Sequence, residues 1–141
     1  MTTVSRGIGY AALATAGLVA LAAAPFAMAE DAKPRRTKGV SIAATSTLPL
    51  AAQMPKLTGY ALRLRTIVLR PGAVVGYHSH ARHSVVAYMV SGVYTEHRDG
   101  QGIIAHKPGE QWIEGADVAH WSENRGAMPA ILINVDLVAA Q

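Results

Sequence analysis

The chain has no cysteine, which excludes disulfides, thiolate metal ligands and a cysteine nucleophile at once. A domain without disulfides has to hold itself together by burial, with or without a metal. Only 16% of the 141 residues are charged, and there is a single phenylalanine. Residues 57–141 carry seven basic and seven acidic side chains, so that stretch is neutral. A neutral, aromatic-poor segment lacks both the basic surface and the stacking platforms of a nucleic-acid binder. Also absent are G-x-S-x-G, a P-loop, G-x-G-x-x-G and H-E-x-x-H, which removes the serine-hydrolase, nucleotide-phosphate, dinucleotide and zincin readings. No carboxylate pair at a glycosidase-like spacing is identifiable. From residue 57 onward no segment holds a 3.6-residue hydrophobic period, so long helices are not expected there.

The long apolar run that does exist is N-terminal. Arg6 precedes an Ala- and Leu-rich stretch from Ile8 to Phe26, and Ala27-Met28-Ala29 forms an A-x-A site. These features predict a signal peptide over 1–29, cleaved after Ala29 to leave Glu30 as the first mature residue. The competing reading is an uncleaved anchor, since the run is about long enough to span a bilayer. The small residues at the cleavage site favour removal, hence a periplasmic or secreted protein without a stable membrane anchor. No twin-arginine pair is present, which favours the general secretory route. The remaining 112 residues carry a net charge of +3, and residues 30–56 alone account for it. The high pI is therefore a property of the lead-in, which reads as a solvated basic tail; a role against anionic lipid or nucleic acid is the weaker reading.

Residues 30–56 divide into a polar part, EDAKPRRTKG, expected to be disordered, and a small apolar part in which Pro49 and Pro55 block a long helix. The apolar part is expected to pack as an extended N-terminal strand. Beyond it, short β-rich runs alternate with turn residues. Tyr60–Leu69 sets Leu62 and Leu64 on one face and Arg63 and Arg65 on the other. Pro71-Gly72 reads as a turn. Runs follow at Val74–His80, Val85–Val90 and Val93–Arg98. Asp99-Gly100-Gln101-Gly102 is a hairpin signal. Further runs lie at Ile103–His106, Trp112-Ile113, His120–Ser122 and Ala130–Val138. Seven to nine short strands in about 85 residues imply a small barrel or jelly roll.

All six histidines fall between positions 78 and 120. His78 and His80 stand at i, i+2, which on a strand puts both imidazoles on one face. His120, from another strand, can close a facial three-nitrogen site. Such a site leaves coordination positions open, and imidazole suits Fe, Cu, Ni, Mn or Zn.

The glycines around these histidines carry a resemblance. Gly72, His78, His80 and Gly92 stand at the spacing of the first cupin motif: G, five residues, H-x-H, three or four residues, E, six residues, G. Gly109, His120 and Asn124 stand at the spacing of the second, with Gly115 and Asp117 replacing its Pro and second Gly. The intermotif stretch runs from Val93 to Pro108, as in small prokaryotic single-domain cupins. The chain from Leu57 to Val138 therefore resembles the cupin superfamily, and YTEHRDGQGIIAHKPGE is similar to a subgroup of small exported bacterial members. The resemblance implies an all-β, single-domain jelly-roll barrel (a double-stranded β-helix) over 57–141, after the signal peptide and the 30–56 lead-in. It also implies one divalent transition metal on His78, His80 and His120. The acidic motif-one ligand falls on Val85, which cannot coordinate.

A divalent ion on three neutral imidazoles keeps its full charge and favours hydroxide or an anionic ligand. Glu96, His83 and His97 are the candidates to complete or serve the site. Glu96 and His97 alternate, so only one of the two can face inward, and both also read as part of a solvated hairpin. His83 reads as a rim residue and His106 as exposed in a turn. Val85, Ala87 and Met89 should face inward and Tyr88 outward. Trp112 and Trp121 read as packing residues and Asn124 as a turn former that satisfies backbone groups.

The expected function is a metal-dependent, dioxygenase-like oxidoreductase acting on a small organic substrate. The alternatives are a non-catalytic periplasmic module for a metal or small ligand, and a barrel without metal. A homodimer is expected, through edge strands or the apolar 40–57 segment. The His120→Ala variant should lose most bound metal while keeping the parent's β-sheet circular dichroism; equal metal content in variant and parent would remove the three-histidine site.

Overall fold

The computed structural model describes residues 32–140, so the signal-peptide reading of 1–29 lies outside the described residues. Among the described residues eight strands carry the fold: β1 (Lys38–Pro49), β2 (Tyr60–Ser79), β3 (Val85–Ser91), β4 (Tyr94–Arg98), β5 (Gly102–His106), β6 (Gln111–Glu114), β7 (Ala119–Glu123) and β8 (Ala130–Ala139). They are hydrogen-bonded in the order β5-β4-β7-β2-β8-β3-β6, with β1 paired to β2, and every pairing is antiparallel. The result is an all-β, nearly closed barrel.

Alternation decides which side of each strand is buried. On β3, Val85, Ala87 and Met89 are buried while Val86, Tyr88 and Val90 are exposed, as the period-2 reading required. The core gathers Ile67, Leu69, Val85, Ala87, Met89, Tyr94, Trp112 and Leu132 with Ala73 and Ala130. Leu69, Met89 and Leu132 are essentially inaccessible, and each contributes roughly 2–3 kcal/mol of transfer free energy. On β2 the faces are split as expected, and the structure supplies the sense that the alternation left open. Leu62 and Leu64 are exposed, while Arg63 and Arg65 turn inward onto Asp136 of β8, at 2.5 and 3.0 Å.

Pro71-Gly72 is not a turn. It is a bend within the 20-residue β2, whose first half pairs with β8 and second half with β7. Proline removes a ladder donor there and Gly72 takes φ 74°, so the strand breaks register without ending. Asn124 staples the bend. Its backbone exchanges hydrogen bonds with Gly72 and Ala73, and its amide Nδ2 donates to the Leu69 and Met128 carbonyls. The backbone-satisfying role expected of Asn124 is what is observed.

The apolar part of the lead-in forms β1, extended along β2 as expected. The polar part departs from the expectation of disorder over its described residues. Lys33 donates to Asp99 at 2.7 Å, Tyr77 N–H donates to the Pro34 carbonyl, and Gly76 N–H donates to Thr37 Oγ1. Composition alone missed this because the partners lie on β2 and the β4–β5 turn, distant in sequence.

The motif glycines Gly72, Gly92 and Gly109 all have positive φ. Gly92 has a second constraint: a Cβ there would lie 2.5 Å from the Pro129 carbonyl oxygen and 2.8 Å from Ala130 Cα. Gly100, with φ 72°, faces open space. Gly100→Ala should therefore cost about 1 kcal/mol from backbone strain, and Gly92→Ala roughly 3 kcal/mol or more. Urea denaturation of the two variants checks this; equal losses would mean that the close approach at Gly92 adds nothing.

Candidate metal centre

His78 on β2 and His120 on β7 are directly opposed in register, so their side chains leave the sheet side by side on the inner face. His80 follows β2 by one residue and keeps the ladder through its N–H, which donates to the Val118 carbonyl. The three Nε2 atoms form a near-equilateral triangle: His78–His80 3.1 Å, His80–His120 3.0 Å and His78–His120 3.1 Å.

The hydrogen bonds of the outer ring nitrogens say what those Nε2 atoms are. His78 Nδ1 lies 2.9 Å from the Gly76 carbonyl, which can only accept, so Nδ1 carries the proton. His120 Nδ1 lies 2.6 Å from the Glu96 carboxylate, with the same consequence. With Nδ1 holding the proton, the neutral form of either ring presents a bare Nε2 lone pair to the centre, and His80 can offer a proton to only one of them. His80 Nδ1 is buried without a partner. Convergent lone pairs repel unless a cation sits among them. Metal–imidazole bonds of about 2.1 Å meeting at right angles put their nitrogens about 3.0 Å apart, and a tetrahedral arrangement puts them about 3.4 Å apart. The residues present thus fit a metal ion on one face of an octahedron. Burial and the neighbouring imidazoles of His120, His78 and His83 push the His80 pKa down to about 4, and burial also lowers that of His78, so both rings stay neutral as ligands must.

Glu96 is fully buried, not part of a solvated hairpin. Arg98 binds it in bidentate fashion at 2.7 and 3.0 Å, His106 Nε2 donates at 2.9 Å, and His120 Nδ1 completes the set. Burial alone would raise its pKa; the donors His106, His120 and Arg98 outweigh burial and hold the carboxyl well below the usual range. With two donors on each oxygen, Glu96 orients His120 and is not itself free to coordinate.

His106 is also buried, against the expectation of exposure. It bonds Glu96 and stacks on Trp112 with ring centroids 3.9 Å apart. The Lys107-Pro108 turn signal was real, but β5 alternation points His106 inward, beside Tyr94 across the strand pair. His97 takes the opposite face to Glu96, stacked on Trp121 and 2.8 Å from Glu123, and is not brought to the triad. His83 lines the cavity, its ring 4.6 Å from that of His80. Trp112 packs in the core as expected, and Trp121 is half-buried.

Glu114, at the end of β6, had no signal in the sequence reading. It is buried, Trp112 Nε1 donates to its Oε1 at 2.9 Å, and its Oε2 lies 3.3 Å from His80 Nε2. Burial raises its pKa, which His120 and the Trp112 bond offset only in part. Its alternation with Trp112 on a strand next to the His80 loop could have suggested it.

The triad lines a cavity of about 160 Å³, walled by Val40, Ile42, Ile67, Leu69, Val75 and Leu132 with Arg65, Asn134 and Glu114 as polar points. Apolar walls with a few polar groups are the usual composition of a small-molecule site.

The family model described as "Cupin domain" matches residues 65–136, about half the chain. Among curated proteins none matches. Among solved structures, KdgF from a Halomonas species is 17% identical, with 73% of this chain and 87% of that one covered and a TM-score of 0.50. A Bacillus halodurans protein is 13% identical over 60% of this chain and 66% of its own, with a TM-score of 0.52. An RmlC-like cupin from Shewanella frigidimarina is 26% identical over 59% and 79%, with a TM-score of 0.49. At these identities the first two likenesses speak to the fold alone.

Glu96→Gln keeps the shape of the side chain but removes the charge that Arg98 and His106 bury against. It should destabilise the fold by roughly 3 kcal/mol or more and weaken divalent-metal binding about 10- to 100-fold. Thermal melts and metal titration of the same variant read both; unchanged metal affinity would mean that the Glu96–His120 bond does not tune the ligand.

Proposed function

The chain belongs to the cupin family, and from that premise we propose that it is a metal-dependent enzyme acting on a small organic substrate, with dioxygenase-like chemistry. The observation that carries this reading is the triangle of three convergent Nε2 atoms bordering an apolar cavity. The spacing fits an octahedral face better than a tetrahedron, which favours an ion that binds substrate and dioxygen together over a structural zinc. Bound there, the metal supplies a Lewis acid and a one-electron relay between the two reactants. His78, His80 and His120 would hold it. The Gly76 carbonyl and Glu96 fix two of those rings in the coordinating tautomer, and the aliphatic walls keep bulk water from the reacting face. Arg65 and Asn134 offer polar contacts to one end of a substrate. The cavity is small, which suits a compact substrate. That space beside the triad favours an enzyme over a barrel filled by large apolar side chains.

The reading includes export, from the charge, apolar run and A-x-A site of residues 1–29. It also includes a homodimer, for which Val86, Tyr88, Val90 and Ile113 offer an exposed apolar row on β3 and β6.

The test is elemental analysis of chain purified without a chelator or histidine tag, followed by oxygen-uptake assays with small organic substrates. About one equivalent of iron or another divalent transition metal is expected, with metal-dependent uptake and label from dioxygen entering the product. Metal-loaded protein that consumes no oxygen with any small substrate would discard the dioxygenase chemistry and favour a binding module.

A further inference from the structure

Resting on the metal-site reading above, we infer that Glu114 is the carboxylate ligand of this centre, moved one strand over from the motif-one position that Val85 occupies. Val85 on β3 and Glu114 on β6 are register partners, both buried and both lining the cavity. Directly opposed side chains have Cβ atoms about 5 Å apart, so a glutamate at 114 reaches the space that a glutamate at 85 would reach.

The carboxylate is also aimed. Trp112 holds Oε1, which leaves Oε2 beside one corner of the triad, 3.3 Å from His80 Nε2. Metal ligands at right angles stand at about that separation. Among the described residues Oε2 accepts no hydrogen bond, and no Lys or Arg nitrogen lies within ion-pair distance of Glu114; its ionisable neighbours are His80, His120 and, within 4.8 Å, the Glu96 carboxylate. A buried carboxylate without a cation is unfavourable, and so is a divalent ion held only by neutral imidazoles. Each supplies what the other lacks, and the charge of the centre falls from +2 to +1.

The other acidic groups nearby are committed elsewhere. Glu96 receives two donors on each oxygen. Asp136, across Val85 on the other side, is held through Oδ2 by Arg63 and Arg65; its Oδ1 is buried without a partner, but the residue does not line the cavity. Glu114 is the one that lines the cavity beside the histidines with an oxygen to give. Three nitrogens and one oxygen leave two octahedral positions for reactants, so the assignment is compatible with catalysis.

The test uses chelator-stripped chain titrated with Mn²⁺ and Co²⁺ alone. Glu114→Gln, whose amide oxygen still accepts from Trp112, should weaken Mn²⁺ binding at least tenfold and alter the Co²⁺ ligand-field spectrum. Adding Val85→Glu to that variant should restore affinity to within about threefold of the parent, which a merely structural role for Glu114 would not allow. Unsubstituted chain carrying ¹³C-carboxyl glutamate should show ¹³C hyperfine coupling to bound Mn²⁺, a readout that does not depend on any variant folding. Parent-like affinity and an unchanged Co²⁺ spectrum in Glu114→Gln, or no ¹³C coupling, would overturn the assignment while leaving a His120-dependent site standing. A parent chain that binds neither ion would overturn the metal-site reading and this one with it.

Discussion

A single buried carboxylate organises the polar interior. Glu96 has no exposed surface, and it persists as an anion only because Arg98, His106 and His120 surround it with charge-assisted hydrogen bonds. That arrangement fixes the proton of His120 on Nδ1 and turns its Nε2 towards His78 and His80. It also pins β4, β5 and β7 together, since the four residues come from these three neighbouring strands. Replacing the network by apolar groups could leave a stable barrel, but not one whose imidazoles point their lone pairs at a common centre.

Antiparallel register is the second constraint. His78 opposes His120, and Arg98 opposes His120 on its other side, so one rung across β4, β7 and β2 carries the ligands and the arginine that supports them. A second rung across β2, β8, β3 and β6 carries Arg63, Asp136, Val85 and Glu114. A slip of one residue in any pairing would send these side chains to the opposite face. The Pro71-Gly72 bend lets one strand serve both rungs: its first half reaches β8 and its second half β7. The Asn124 staple holds that bend, which is why an amide outside the site matters to its geometry.

Much of this was legible in the residues themselves. The H-x-H pair, His120 and the spaced glycines marked the triad because period-2 geometry and turn chemistry are local properties. The inward parity of Val85, Ala87 and Met89 followed from the same alternation. The all-β class followed from short strand runs punctuated by turn residues. What was not legible depended on partners. Local pattern left the sense of the β2 faces open, and it suggested a turn at Pro71-Gly72 where the strand only bends. Glu96 and His106 looked solvated because an isolated charged or imidazole side chain usually is; only their pairing across β4 and β5 makes burial tolerable.

By itself, then, the sequence determined the kind of structure and three of its imidazoles, because periodicity, turn preference and spacing act over a few residues and need no distant partner. The tertiary structure alone decided which carboxylate orients the triad, which one is left free beside it, and which side of β2 faces in. Those depend on strand register and on the balance between desolvation and pairing, and both are properties of residues brought together from strands far apart in the chain.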